Sequence, residues 1–387
     1  MDKYNKIVES FVTGNDISVA PLGAGHINDS YKVIVDGKEY VLQRINHAIF
    51  KNVPELQNNI LRVTSHIRAK LKEKGVTDIE RRVLNFIPAK DGKYYYQDAD
   101  GNYWRLMDFI KDSKTFDTIS PNLAEKAGKA FGEFQNMLAD MPGEPLYETI
   151  PNFHNMESRL NEFRKSVKKN VAGRLSEVQD LVNEIEKLSF KMCRQERLYR
   201  EGKLPKRINH CDTKINNILF DAEGKEVLCI VDLDTVMPGF VLSDFGDFVR
   251  TAANTGKEDD INLDNVSIDT DIFRAYARGY LHTAIGFLTD MEIVCLLHGV
   301  RLLTYMQTVR FLTDYLDGDI YYKIKSPKHN LERALAQFKL LQSITDKYPD
   351  LLGILIVECL RENGIKWPEF INKLKEETEL MIKDNDL

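Results

Sequence analysis

The chain has 387 residues, 43% hydrophobic and 29% charged, with a formal net charge of −6. That length holds about two or three average domains with cores of their own, and the composition is that of a folded protein rather than a low-complexity one. The net negative charge gives no whole-chain attraction to nucleic acid or to an anionic membrane, so any phosphate-binding group has to be locally placed.

In chain order, the opening Met1–Lys6 stretch is polar and leads into no apolar signal core. The longest greasy run, near Leu351–Val357, is too short to span a bilayer, so a cytoplasmic protein is expected. Tyr31–Val35 and Lys38–Ile45 alternate on either side of Asp36-Gly37, a strong hairpin signal. A helix follows from Pro54 to about Lys72, with Leu56, Ile60, Val63 and Ile67 at helical spacing. Asp91-Gly92 and Asp100-Gly101 then separate three short strands, Val83–Ile87, Tyr94–Gln97 and Tyr103–Phe109. The first 110 residues therefore read as an antiparallel sheet with one intruding helix.

Beyond Phe109 helical periods dominate: Leu123–Leu138, Met156–Val167, Leu175–Leu188, Ile272–Phe287 and Ile293–Leu316. The basic stretch Lys191–Arg207 reads as a solvated helix face. One β exception interrupts the helices, Asn217–Phe220 and Glu226–Val231 around Asp221–Gly224. The five cysteines, 193, 211, 229, 295 and 359, are scattered without a C-x-x-C pair, so reduced thiols are expected.

The chemistry gathers around that exception, in His210-Cys211-Asp212-Thr213-Lys214-Ile215-Asn216-Asn217 and, after the hairpin, Ile230-Val231-Asp232. Phosphoryl transfer from ATP needs a carboxylate to hold the attacking hydroxyl and hard oxygen ligands to hold Mg²⁺ against the phosphates. The spacing assigns Asp212 as the base and Asn217 with Asp232 as metal ligands; the alternative makes the first two loop caps and the third a turn residue. His210 is expected to hold the loop and Cys211 to be a small semi-buried residue. Leu22–Asn28 offers two glycines, Gly23 and Gly25, before a strand, a nucleotide loop or an ordinary turn; no G-x-x-x-x-G-K-[ST] occurs.

The catalytic string resembles the aminoglycoside phosphotransferase and choline kinase superfamily, together with Val231–Gly239 and Ser243-Asp244-Phe245-Gly246-Asp247. Leu42–His47 and Arg310–Leu316 are most similar to N-acetylhexosamine 1-kinases. The likeness runs from about Pro21 to Tyr322 and implies an α+β, two-lobe protein-kinase-like fold: a small antiparallel β lobe with one helix (1–110) and a larger, mainly helical lobe (111–387). It implies ATP as co-substrate with Mg²⁺, and nucleotide contacts from Gly23, Gly25 and Asn28. It further implies an adenine-binding hinge at Met107–Lys111, including Phe109, and Asp244 as the steadier of the catalytic loop. Asp244 also suits a helix N-cap.

Two departures stand out. Where protein kinases carry a lysine on the third strand, this chain has Gln43 and Arg44, of which strand alternation turns only one inward. The intruding helix has Glu55 in its first turn and no further acid until Glu73. The leading expectation is a kinase for the anomeric hydroxyl of an N-acetylhexosamine, with the sugar in the helical lobe near Asp212, Arg310, Asp314 and Tyr315. An aminoglycoside or choline-type kinase would need an acidic wall, which Glu258-Asp259-Asp260 could begin. A nucleotide-binding scaffold without turnover is the third reading.

Overall fold

The computed structural model describes residues 2–22, 28–362, 372 and 374. The elements begin α1 (Asp2–Glu9), β1 (Ile17–Pro21), β2 (Asp29–Val35), β3 (Lys38–Ile45), α2 (Val53–Glu73), α3 (Ile79–Arg82), β4 (Phe86–Ile87), β5 (Tyr96–Gln97), β6 (Tyr103–Asp108) and β7 (Ser113–Lys114). Then come α4 (Pro121–Leu138), α5 (Met156–Lys169), α6 (Gln179–Met192), α7 (Arg194–Arg200), β8 (Arg207–Asn209), β9 (Ile218–Asp221), β10 (Val227–Ile230) and β11 (Met237–Gly239). Five helices complete the chain: α8 (Val241–Ala252), α9 (Thr270–Ala284), α10 (Asp290–Asp317), α11 (His329–Asp346) and α12 (Tyr348–Arg361).

Two compact units are formed. The first comprises Met1–Thr115, Met137–Pro151 and Asn217–Pro238. Its main sheet has the order β1-β2-β3-β6-β4, with β5 also on β6, and every pairing is antiparallel. Asp36 and Gly37 both adopt positive φ, 48° and 83°, the mirror-image turn whose twist suits a two-residue hairpin loop. Alternation then sends Val33, Val35, Tyr40 and Leu42 to one core with Trp104 and Leu106. The polar opening proves to be an amphipathic helix: Ile7 and Val8, with Phe11 just beyond, seal that core. In α2 the Asn52 side chain accepts from the Glu55 amide, and Leu56, Ile60, Val63 and Ile67 are buried. The strand expected over Val83–Ile87 shrinks to Phe86–Ile87, because Ile79–Arg82 take a helical turn first. The one over Tyr94–Gln97 shrinks to two residues. A second small sheet, β10-β9-β7, completes the unit.

The second unit comprises Phe116–Asn136, Asn152–Asn216 and Gly239–Leu387. Its axis is α10, buried nearly all round and bounded by a Thr289/Glu292 capping box and by Gly318 at φ 92°. Helix α8 lies against it at backbone distance. A Cβ on Gly246 would stand 2.2 Å from the Gly299 carbonyl oxygen, so glycine is required where the two helices cross. Helices α5 and α6 add Leu160, Phe163 and Ile185 to the core that α10 forms with Leu302, Tyr305 and Leu312. The helix expected over Leu175–Leu188 opens as a 3-10 turn, Leu175–Glu177. All five cysteines are buried, and none forms a disulfide. Among the described residues no helix is long and apolar enough to cross a membrane. Within the basic stretch Arg200 pairs with Glu157 at 2.7 Å and Arg207 with Glu292 at 2.6 Å.

Candidate functional site

In the second unit the loop between β8 and the hairpin is built around one buried carboxylate. Asp244, in the first turn of α8, accepts from the backbone N–H of His210 and of Cys211, both at 2.8 Å, and from Gln135 Nε2 at 2.9 Å. Burial pushes its pKa up to about 7, against the hydrogen bonds that favour the charged form. The backbone carbonyl of Asp244 also accepts from Thr213 Oγ1 at 2.6 Å. The N-cap of α8 is Phe240, so Asp244 is not the cap that the sequence alternatively allowed. His210 is fully buried between the rings of Phe131 and Phe134, and its Nδ1 accepts from the Asp212 amide at 3.3 Å. Held from both sides, Cys211 takes a left-handed φ of 64°, rare for a residue with a side chain and common where a loop is fixed for function.

These contacts fix where Asp212 stands. Lys214 Nζ lies 2.6 Å from its Oδ1. Nearby on α8 the buried Asp247 and Arg250 pair at 2.8 Å, and Arg250 reaches Glu258 at 3.2 Å. His154 lies within electrostatic reach of Asp212 and Arg250. Burial first, then the charges of Arg310 and Arg159, push its pKa down to about 3, with Asp212 opposing. The ring is therefore neutral, and its buried Nδ1 has no hydrogen-bond partner among the described residues. Arg310 sits over the rings of Phe153 and Tyr322, at 5.3 and 5.7 Å, and donates to Gln307 Oε1 at 3.1 Å. It pairs with no carboxylate among the described residues.

Two residues expected near the substrate have other work. Asp314 accepts from the amides of Ile320, Tyr321 and Tyr322 and from Asn330 Nδ2, all at 2.8–2.9 Å, so it folds the segment after α10. The Tyr315 hydroxyl is directed to Glu177 at 3.1 Å. The acidic run is equally engaged. Glu258 meets Arg250; Asp259 meets Lys325 and His329, which hold its pKa down to about 2; Asp260 accepts from the Asn262 amide at 3.0 Å.

The first unit holds the expected metal ligands. The β9–β10 register pairs Ile218 with Ile230, and the Val231 N–H donates to the Asn217 carbonyl at 3.0 Å. Asn217 and Asp232 thus leave the same open end of the hairpin. Asp232 has φ 59°, the second left-handed residue among the chemically marked positions. An amide oxygen and a carboxylate are hard donors that suit Mg²⁺, whose shell phosphate oxygens and water complete. Among the described residues no three His, Cys, Asp or Glu gather as a separate metal set.

The kinase-lysine question resolves into a different arrangement. Arg44 is exposed and pairs with Asp29 at 2.5 Å, whereas Gln43 turns inward and accepts from Arg105 Nε and Nη2 at 2.9 and 2.7 Å. Arg105, on β6, is almost completely buried and lies 2.5 Å from Asp234, which is equally buried. Asn28 donates to the other oxygen of Asp234 at 2.5 Å and accepts from the Asn46 amide at 2.9 Å. Asn28 therefore braces this cluster. At the expected hinge, Met107 is buried in β6, and Phe109 gives its N–H to the Glu39 carbonyl while Lys32 lies over its ring at 4.4 Å. Gly23 and Gly25 lie outside the described residues.

Lys214, His154 and the Arg105–Asp234 pair were missed in the sequence. Only Lys214 carries a signal there, two residues after Asp212.

The phosphotransferase enzyme family profile matches residues 18–283. A microcompartment-associated aminopropanol kinase has a similar structure at TM-score 0.58 and 13% identity, covering 90% of this chain and 98% of its own. A spectinomycin phosphotransferase in complex with ADP and spectinomycin gives 0.54 and 13%, covering 89% and 97%. Choline kinase from Cryptosporidium parvum Iowa II gives 0.51 and 14%, covering 88% and 91%. The fold is the kinase-like one that the motif implied, and the chain belongs to the phosphotransferase enzyme family, as an ATP-dependent kinase of a small molecule.

Proposed function

We propose that the chain transfers the γ-phosphoryl group of Mg·ATP to the anomeric hydroxyl of an N-acetylhexosamine. Asp212 orients O1 and receives its proton as the O1–P bond forms and the bond to the β-phosphate oxygen breaks. Asn217 and Asp232 hold Mg²⁺, which neutralises charge on the phosphates when bound. Lys214 keeps Oδ1 of Asp212 in place. An anomeric hydroxyl is more acidic than an ordinary alcohol, so a carboxylate base is adequate.

The choice of acceptor rests on the charges around Asp212. A cationic aminoglycoside or choline would meet Arg310, which pairs with no carboxylate among the described residues, while Lys214 and Arg250 are matched by Asp212, Asp247 and Glu258 and the acids of 258–260 are themselves already engaged. A neutral sugar suits such a wall. Its hydroxyls and acetamido group can accept from Arg310 and donate to the neutral His154. Asp314, engaged by its own loop, leaves the list of acceptor contacts.

The test is ATP consumption with a panel of free sugars, choline and an aminoglycoside. N-Acetylglucosamine or N-acetylgalactosamine should be consumed and the methyl glycoside blocked at O1 should not. Turnover confined to the cationic compounds would overturn the reading. Nucleotide binding without turnover on any of them would favour a scaffold.

A further inference from the structure

Asp244 holds the loop that carries Asp212, and what holds Asp244 comes from two other helices of the second unit. Gln135 of α4 donates from Nε2 to Asp244 Oδ2 at 2.9 Å, and the Tyr280 hydroxyl of α9 donates to Gln135 Oε1 at 2.5 Å. Both side chains are buried. The two helices meet backbone to backbone: a Cβ on Gly128 would stand 2.3 Å from the Tyr276 carbonyl oxygen, and one on Gly279 would stand 2.0 Å from that of Glu125. Glycine at both places lets α4 and α9 approach closely enough for Gln135 to meet Tyr280. The same face of α4 sets Phe131 and Phe134 against the His210 ring, at 5.7 and 5.9 Å.

Packing alone does not call for an amide there. Its neighbours on that face, Ala127, Phe131, Phe134 and Leu138, are apolar, and a buried amide is costly unless both of its ends are bonded. Gln135 uses both ends, one accepting and one donating. We propose that Gln135, set by Tyr280, is a positioning residue for Asp212: it turns the Asp244 carboxylate so that its two oxygens take the His210 and Cys211 amides and fix the loop. The last link is His210 Nδ1, which accepts from the Asp212 amide at 3.3 Å. The inference rests on Asp212 as the base of the proposed reaction. The Gln135 bond also favours the charged form of Asp244 against burial, as the two backbone bonds do. The other titratable groups that act on this carboxylate are Asp247 on its own helix and the hydroxyls of Tyr276 and Tyr280 on α9.

The experiment measures kcat and the KM for ATP with the panel compound that the wild type consumes fastest, in Gln135→Leu, Gln135→Glu, Tyr280→Phe and the Gln135→Leu/Tyr280→Phe double variant. Gln135→Leu should lower kcat about tenfold while leaving the KM for ATP within about twofold, because a bond to a buried charged group is lost away from the nucleotide. Tyr280→Phe should lower kcat when Gln135 is present and have no further effect when it is absent. Gln135→Glu carries the readout that packing would not move. At about pH 6 the new carboxyl keeps a proton to donate to Asp244, and at about pH 9 two carboxylates face each other, so its kcat relative to wild type should fall about tenfold between the two. A near-normal kcat in Gln135→Leu, a Tyr280→Phe loss that persists without Gln135, or a Gln135→Glu ratio that pH leaves unchanged overturns the role. Near-normal kcat in Asp212→Asn counts against the base reading instead. Should the wild type consume no compound of the panel, hydrogen exchange decides. Faster exchange in the 209–213 peptide of Gln135→Glu at about pH 9, with α10 unchanged, upholds the positioning role, and exchange equal to wild type removes it.

Discussion

Replacing Asp244 by alanine tests the idea that one carboxylate sets the catalytic loop. The substitution strands two buried backbone N–H groups, those of His210 and Cys211, and the Gln135 amide. Each orphaned buried donor costs about 1–3 kcal/mol, so the two backbone groups together cost about 4 kcal/mol. Against this stands relief of a buried charge, and that relief depends on pH. Burial raises the folded-state pKa to about 7 from an ordinary 3.8. The stability this group contributes is therefore fully present below about pH 4 and is lost as pH rises through 7. The deficit of Asp244→Ala should accordingly be about 2–3 kcal/mol at pH 5, where part of the full ~4 kcal/mol has already gone, and narrow by about a further 2–3 kcal/mol by pH 8. Urea unfolding followed by circular dichroism at the two pH values measures both. A deficit below about 1 kcal/mol at pH 5, or one that widens with pH, would refute the reasoning.

Asp212→Asn should keep ATP affinity and lower kcat by about 10²–10⁴ in steady-state assays; near-normal kcat would take Asp212 out of the mechanism. Asp232→Ala should weaken Mg·ATP binding in calorimetry and nearly abolish turnover with the fold retained, and unchanged affinity and rate would contradict its metal role. Arg105→Leu leaves the Asp234 carboxylate buried without its cation. It should cost about 3–5 kcal/mol in denaturant titration, and a change under about 1 kcal/mol would mean that the pair is not a fixed element of the first unit.

The parts of the fold written in local periodicity were legible. The Asp36-Gly37 hairpin, α2 and α10 each follow from alternation, helical spacing or turn chemistry within a short window. Contacts set by long-range packing were not. Nothing local says that Arg105 on β6 meets Asp234, more than a hundred residues later, or that α1 closes a sheet whose strands begin beyond it. Residues 217–238 likewise pack with the first unit although they sit amid helical sequence, which no composition shift along the chain can reveal. The motif marked Asp212, Asn217 and Asp232 because phosphoryl transfer constrains residue type and spacing together. The acceptor side had no such code. Arg310 and Asp314 look alike as helix polar residues, and only their partners separate a cation without a carboxylate from a carboxylate saturated by amides.

The central claim is that phosphate is placed on O1 of an N-acetylhexosamine. Incubation with Mg·ATP and N-acetylglucosamine or N-acetylgalactosamine, followed by NMR of phosphorus-to-carbon coupling, reads the bond directly. The account predicts coupling to C1 and C2 of a sugar 1-phosphate. Coupling to C6 or C3, or a phosphorylated product only from choline or an aminoglycoside, would contradict it.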